Sequence, residues 1–209
     1  MAKHTHPPRD SDSISDQFLF IAFDQWTKLI PSFRIGKRTR EVTEAFMGDL
    51  SRRVVAPRLG AMTDRPRIST DGFAAYPNAV NLAFADTVQH GVLIKDYQES
   101  EQPGRYGPPE MIAQHRIPMT PGMDPRAICT SHVERNNLNI RTFTRLALGF
   151  SKKLANLEAA TTLYVAHHNF CRWHGTLNKT PAMAAGLTGH PWTMEELLNH
   201  ASFYPAQAA

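Results

Sequence analysis

Two apolar runs lying close together set the first constraint on this chain. QFLFIAFD, at residues 17–24, is apolar and aromatic and reads as a buried strand. After a short turn at residues 25–27, KLIPSFRIG supplies a second strand, in which Pro31 suits an edge or a bulge. The pattern then changes period. Over residues 40–55, Val42, Phe46, Met47 and Leu50 fall at helical spacing. PRIST is a short strand that stops at Asp71-Gly72, FAAYPNAVNLAF is a short helix broken near Pro77, and GVLIKDY is another strand. Strands with interposed helices predict an α/β domain.

Residues 98–129 are rich in Pro and Gly and read as a long loop, with a strand near residues 111–119. Helix follows. Ile140, Phe143, Ala147 and Phe150 form one apolar stripe, and Leu154, Leu157, Thr161, Tyr164 and His168 form the next. TPAMAAGL places Pro181 at a helix start. The expected organisation is a polar leader without regular structure over residues 1–16, a core over 17–178 and a helical tail over 179–209.

The chain's 209 residues suit one domain with an appendage, and 42% hydrophobic with 20% charged residues exclude a disordered chain. The formal net charge of +4 decides little, but its distribution is informative. Arg34, Lys37, Arg38 and Arg40 cluster, Arg52, Arg53 and Arg58 follow, and Arg135, Arg141, Arg145, Lys152 and Lys153 form a third group. Clustered positive charge is the footprint of a polyanion binder, although any one cluster is more often a solvated face. The cysteines, Cys129 and Cys171, are too few for a disulfide scaffold or a four-cysteine zinc site. The absence of a membrane-length apolar run and of a secretory signal predicts a cytoplasmic protein.

Two acids stand out. Asp71 ends a strand and is followed by glycine, whereas Glu134 opens a helix whose later turns carry Arg141 and Arg145. A strand-end carboxylate and a helix carboxylate can converge on one hard divalent cation, which takes oxygen ligands. The arginines would lie near the same helix face and hold a phosphate backbone beside it. By pattern alone the plainer roles are favoured: a turn or cap for Asp71, and a first-turn acid favoured by the helix dipole for Glu134.

Five stretches change that balance: FDQWTKLIPSFRIGKRT, ISTDGFAAY, TSHVERNNLNIR, FSKKLANLEAA and NFCRWHGTLNKTPAMAAGL. Together, in this order, they resemble the DDE transposases of bacterial insertion sequences, in the group founded on the first numbered insertion sequence. The resemblance covers most of residues 17–190. It implies a ribonuclease-H-like mixed sheet flanked by helices, with Mg²⁺ (or Mn²⁺) held by two Asp and one Glu. It also implies cleavage of donor DNA by water and joining of the freed 3′-hydroxyl to target DNA. TDG puts the second catalytic aspartate at Asp71, and VERNN puts the catalytic glutamate at Glu134; both are expected metal ligands. Arg135, Asn137, Arg141, Arg145, Lys152 and Lys153 are the expected DNA contacts. The expected partners are the DNA of element ends and targets, with further copies of the chain or a full-length transposase on that DNA.

The chain departs from the family at its start. The first aspartate of these enzymes lies on an opening strand, in an Asp-Glu-aromatic motif, where this chain has MAKHTHPPRDSDSISD. The opening strand and the end-reading segment before it are therefore expected to be missing. Asp24 ends a strand, but the resemblance puts it in the turn between two strands. Two functions follow: a catalytic transposase domain, or an inactive remnant that binds DNA or a partner.

Smaller signals have plainer explanations. His168, Cys171 and His174 approach a zinc spacing, but packing or phosphate contact is favoured. Trp173 is expected to pack at a helix end rather than stack on a base. Asn136 and Asn137 are candidate readers of base edges, with helix-surface or phosphate contacts at least as well supported. RIGKR suits a basic, DNA-facing hairpin.

Overall fold

The computed structural model describes residues 17–54, 65–98, 110–143 and 154–203, and it is mixed α/β. The chain divides into two units, one of Met1–Lys37 with Val133–Ala209 and one of Arg38–His132.

In the unit of Arg38–His132, helix α1 (Arg40–Arg53) begins where Thr39 accepts a hydrogen bond from the Val42 amide. It buries Thr43, Phe46, Met47 and Leu50. Thr43, rather than the expected Val42, occupies the buried stripe, because its hydroxyl is satisfied by the Thr39 carbonyl at 2.6 Å. Strand β3 (Arg67–Asp71) runs parallel to β4 (Gln89–Gln98), and α2 (Tyr76–Phe84) makes the crossover. Pro77 does not break α2. It sits in the first turn, where its missing N–H has no intrahelical partner to lose. Helices α1 and α2 pack together, and Phe46, Met47, Ala79, Val80 and Phe84 are all buried.

Strand β5 (Glu110–Pro118) pairs antiparallel with β4, with a bulge between Asp96 and Tyr97. This is the strand expected near residues 111–119 within the Pro- and Gly-rich stretch, and residues 99–109 of that stretch lie outside the described residues. The chain then returns over β4 through a 3₁₀ turn at Pro125–Ala127. Ile128 is fully buried there with Leu93 and Met123. Gly91 permits this approach: a Cβ at that position would lie 2.5 Å from Ile128 Cδ1 and Cγ1.

In the unit of Met1–Lys37 with Val133–Ala209, β1 (Phe18–Ile21) and β2 (Phe33–Gly36) form an antiparallel pair. Both are shorter than the apolar runs suggest, and Pro31 lies before β2 rather than within it. Helix α3 (Ser131–Phe143), whose first turn contains the division between the units, and α4 (Leu154–Ala166) contribute to a core of Ile30, Ile140, Tyr164 and Val165. A π-type turn, His167–Cys171, follows α4 and brings Asn169 to Ile30. The Asn169 side chain accepts from the Ile30 amide at 3.0 Å and donates to its carbonyl at 2.9 Å. A side-chain amide thus satisfies both backbone groups of a buried residue outside any strand.

Thr180 caps α5 (Pro181–Ala184), with Pro181 at the expected helix start. Thr193 and Glu196 form a reciprocal capping box at the head of α6 (Met194–Phe203). Among the described residues no helix is long and apolar enough to cross a membrane.

Candidate functional site

Asp71 is the last residue of β3, opposite Leu93 of β4, and it is exposed. The two residues before it are tied down. The Thr70 hydroxyl is hydrogen-bonded to His90 Nε2 at 3.0 Å, and the Ser69 hydroxyl accepts from the Cys129 amide at 3.3 Å. The His90 amide donates to Thr120 Oγ1 at 2.8 Å, and burial pushes the His90 imidazole down to about 4. The backbone that presents Asp71 is therefore held by a neutral, buried histidine on one strand and by the returning chain.

The carboxylate of Asp71 makes two kinds of contact. Oδ1 accepts from the Phe73 amide at 3.0 Å, the turn role expected from pattern alone. Oδ2 lies 3.3 Å from Arg38 Nη2. The Arg38 guanidinium lies over the Phe73 ring, 4.4 Å from its centroid, and Phe73 meets Tyr76 edge-on at 5.9 Å. Burial, reinforced by the charge of Asp71, raises the Tyr76 phenol above its ordinary value. Beside this group is an open cleft of about 430 Å³ lined by Arg38, Arg40, Phe73, Ala74, Ala75 and Asn78. Its wall is braced by Glu44, which accepts from Arg40 at 2.6 Å and from Asn78 at 3.1 Å.

Glu134 lies in the first turn of α3 and is exposed, as are Arg135 and Arg141. Glu134, Asn137 and Arg141 share one face of this helix by their spacing. Asn137 is half-buried, and its Oδ1 has no hydrogen-bond partner among the described residues. Asn136 is not available to read a base edge: it is 3% exposed, and its Oδ1 accepts from the Tyr164 hydroxyl at 3.4 Å. The helical period turns Asn136 inward beside Ile140, so the amide serves the core. Asp71 belongs to the unit of Arg38–His132 and Glu134 to the other. Arg145, Lys152 and Lys153 lie outside the described residues.

Asp24 is a turn residue. Its carboxylate accepts from the Trp26 amide at 3.1 Å, the Thr27 amide at 3.2 Å and the Thr27 hydroxyl at 2.5 Å. His168 is a packing residue, 4% exposed and stacked on Tyr164, with Nε2 at 2.9 Å from the Lys28 carbonyl. Trp173 corrects the expectation of a packed helix-end ring, since it is 55% exposed. Trp26 is 77% exposed. Among the described residues no cluster of at least three His, Cys, Asp or Glu side chains stands ready for a metal ion.

In the sequence Arg38 is one charge of a basic cluster, and Phe73 carries no signal of its own. The adjacency of RIGKR to a helix start was the available signal, but their meeting at Asp71 depends on the β3–α2 turn. No family model matches the chain, and neither a curated protein nor a solved structure matches it.

Proposed function

We propose that the chain is the catalytic domain of a DDE-type DNA transposase with a ribonuclease-H-like fold. The observation that carries this reading is Asp71: an exposed carboxylate at the C-terminal end of a parallel strand, on a backbone pinned at the two preceding residues. The carboxyl ends of parallel strands are where α/β sheets bind ligands. The antiparallel β1–β2 pair and the parallel β3–α2–β4 crossover also suit such a fold.

Each of the two acids offers oxygens of the type that a hard cation takes. Asp71 and Glu134 both have exposed carboxylates, and a carboxylate oxygen such as Oδ1 of Asp71, which accepts from Phe73, has a second lone pair to offer. In this reading each of the two acids is a candidate ligand in its own unit, and Mg²⁺ or Mn²⁺ would supply charge to neutralise a reacting phosphodiester. The chain's own residues do the rest. Arg135 and Arg141 attract and orient the DNA backbone. Exposed Trp26 and Trp173 offer flat apolar surfaces to unpaired bases. The partners in this reading are DNA and further copies of the chain assembled on it.

A second reading is favoured by Asp24. With both its carboxylate oxygens engaged in its own turn, Asp24 is a poor third metal ligand. The chain would then bind DNA, or a partner transposase, without cutting.

Nicking of supercoiled plasmid in Mg²⁺, run beside a DNA-binding assay, separates these. A catalytic domain loses nicking in Asp71→Asn and in Glu134→Gln while retaining DNA binding. A binding remnant binds DNA and nicks with none of the variants. Absence of DNA binding, or nicking indifferent to both substitutions, overturns the proposal.

A further inference from the structure

Of the chain's three tryptophans, Trp26 and Trp173 face solvent, at 77% and 55% exposure. Indole rings more often bury most of their large apolar area. Both stand on fixed turns of the same unit. Around Trp26, the Asp24 amide donates to the Leu29 carbonyl at 2.9 Å, and the Lys28 amide donates to the Asp24 carbonyl at 2.8 Å. Just after Trp173, the His174 amide donates to the Lys179 carbonyl at 3.0 Å, and the His174 carbonyl accepts from the Leu177 and Asn178 amides. The two segments are also tied to each other. His168 Nε2 lies 2.9 Å from the Lys28 carbonyl, and Asn169 holds both backbone groups of Ile30. Rings carried on such a backbone lose little freedom when they take a partner.

The charge at this junction has one sign. Partial burial, and then the charges of Lys28 and Arg172, hold the His174 imidazole below its ordinary value. Burial also lowers His168, and the charges acting on it are those of Arg172, His174 and His167. Among the described residues no acid acts on either ring. Asp24, at the head of the first turn, directs its carboxylate to the Trp26 and Thr27 amides and the Thr27 hydroxyl. Arg172 is hydrogen-bonded to Tyr164 and lies 5.2 Å from the centroid of the Phe143 ring, and neither partner neutralises its charge.

Flat apolar rings set among cations fit a polyanion whose own flat groups are open. In a duplex each base face is closed by its neighbours, whereas in a single strand it is free to stack on an aromatic side chain. An acidic peptide would use the cations and leave both indoles in water. We infer that the turn of Trp26 and the segment of Arg172, Trp173 and His174 form a platform for single-stranded nucleic acid, in which the two indoles stack on unpaired bases while Lys28 and Arg172 hold phosphates of the same strand. The platform deepens the proposed function and rests on its DNA binding, but it uses neither Asp71 nor Glu134 nor a metal.

The test uses the full chain without divalent cations and follows anisotropy of three fluorescent probes. They are an oligothymidylate, an abasic strand of the same length and a hairpin duplex. The oligothymidylate should bind more tightly than the abasic strand, which keeps the phosphates and lacks the bases. Trp26→Ala and Trp173→Ala should each weaken oligothymidylate binding about five- to a hundredfold, and weaken duplex binding less. Trp26→Phe and Trp173→Phe, which keep a ring, should recover most of that loss and so separate stacking from a folding defect. Lys28→Gln with Arg172→Gln should reduce the log–log salt slope for the oligothymidylate by about 1.4, at roughly 0.7 per lost phosphate contact. An oligothymidylate that binds no better than the abasic strand, or is indifferent to both alanine variants, overturns the platform. Duplex binding that still depends on Arg135 and Arg141 then leaves the proposed function standing. Binding to phosphatidylglycerol vesicles through both tryptophans, with no preference for bases over the abasic strand, makes the patch a membrane contact and also overturns the platform. Absence of binding to any of the three probes overturns both the platform and the proposed function.

Discussion

Substituting Gly91 by alanine tests how the chain beside Asp71 is held. The added Cβ would sit 2.5 Å from both Ile128 Cδ1 and Ile128 Cγ1 and 3.2 Å from Met123 Cε. Carbon pairs are comfortable at about 3.5–4.0 Å, so roughly an ångström of displacement is required. Ile128 is 0% exposed and packed with Leu93 and Met123, so the shift must pass into the core. Overpacking of this kind costs about 1–3 kcal/mol. Replacing glycine by alanine also reduces unfolded-state entropy, which contributes about 0.4–1 kcal/mol in the opposite direction. The clash dominates, and Tm should fall by several degrees, at about 2–4 °C per kcal/mol for a chain of this size.

Ile128→Ala removes both clashing atoms and by itself costs about 2–5 kcal/mol. If the contact is the cause, Gly91→Ala should be far less harmful in that background, with a coupling of about 1–3 kcal/mol. Urea unfolding followed by far-UV circular dichroism measures all four proteins. Strict additivity, or a Gly91→Ala protein as stable as wild type, refutes the close-approach argument.

His90 makes stability depend on pH. Its folded pKa near 4 lies below the ordinary 6.5, so the unfolded chain takes up the proton first. Stability is then complete above pH 6.5 and falls as pH drops toward 4, by on the order of 3 kcal/mol in total. Burial depresses His168 in the same direction. Urea midpoints across this window should fall with pH, less steeply in His90→Gln; an equal slope in that variant removes His90 as the cause. Asn169→Ala orphans the Ile30 amide and carbonyl, at about 1–3 kcal/mol for each buried group. Amide exchange at Ile30 should accelerate, and unchanged protection would contradict the clamp. Arg135→Ala with Arg141→Ala should weaken binding to all DNA sequences alike and reduce the log–log salt slope by about 2, at roughly 0.9 per lost phosphate contact. An unaltered slope means that these arginines do not touch phosphate.

The local elements were legible because their signals are local. Phe46, Met47 and Leu50 repeat at the helical period and are buried on α1. The stop at Asp71-Gly72 coincides with the end of β3, and Pro181 stands in the first turn of α5. These outcomes depend on the geometry of a few consecutive residues, which composition and spacing express directly. The same geometry left Asp71 at a strand end and Glu134 in the first turn of a helix, where the sequence had them.

Tertiary structure decided which of several locally acceptable roles each residue took. Asn136 and Asn137 are adjacent and chemically identical, yet α3 buries the first against Tyr164 and leaves the second half-buried. Trp173 could pack or stand free, and it stands free. Arg38 was one charge among several until the β3–α2 turn brought Asp71 and Phe73 to it. Ser69 meets Cys129 across 60 positions, and Asn169 meets Ile30 across 139. A hydrogen bond between such distant residues imposes no period on either segment. The sequence therefore determined which segments become strand and helix, while the partners of Asp71, Gly91 and Ile30 were decided only when packing brought distant side chains within contact range.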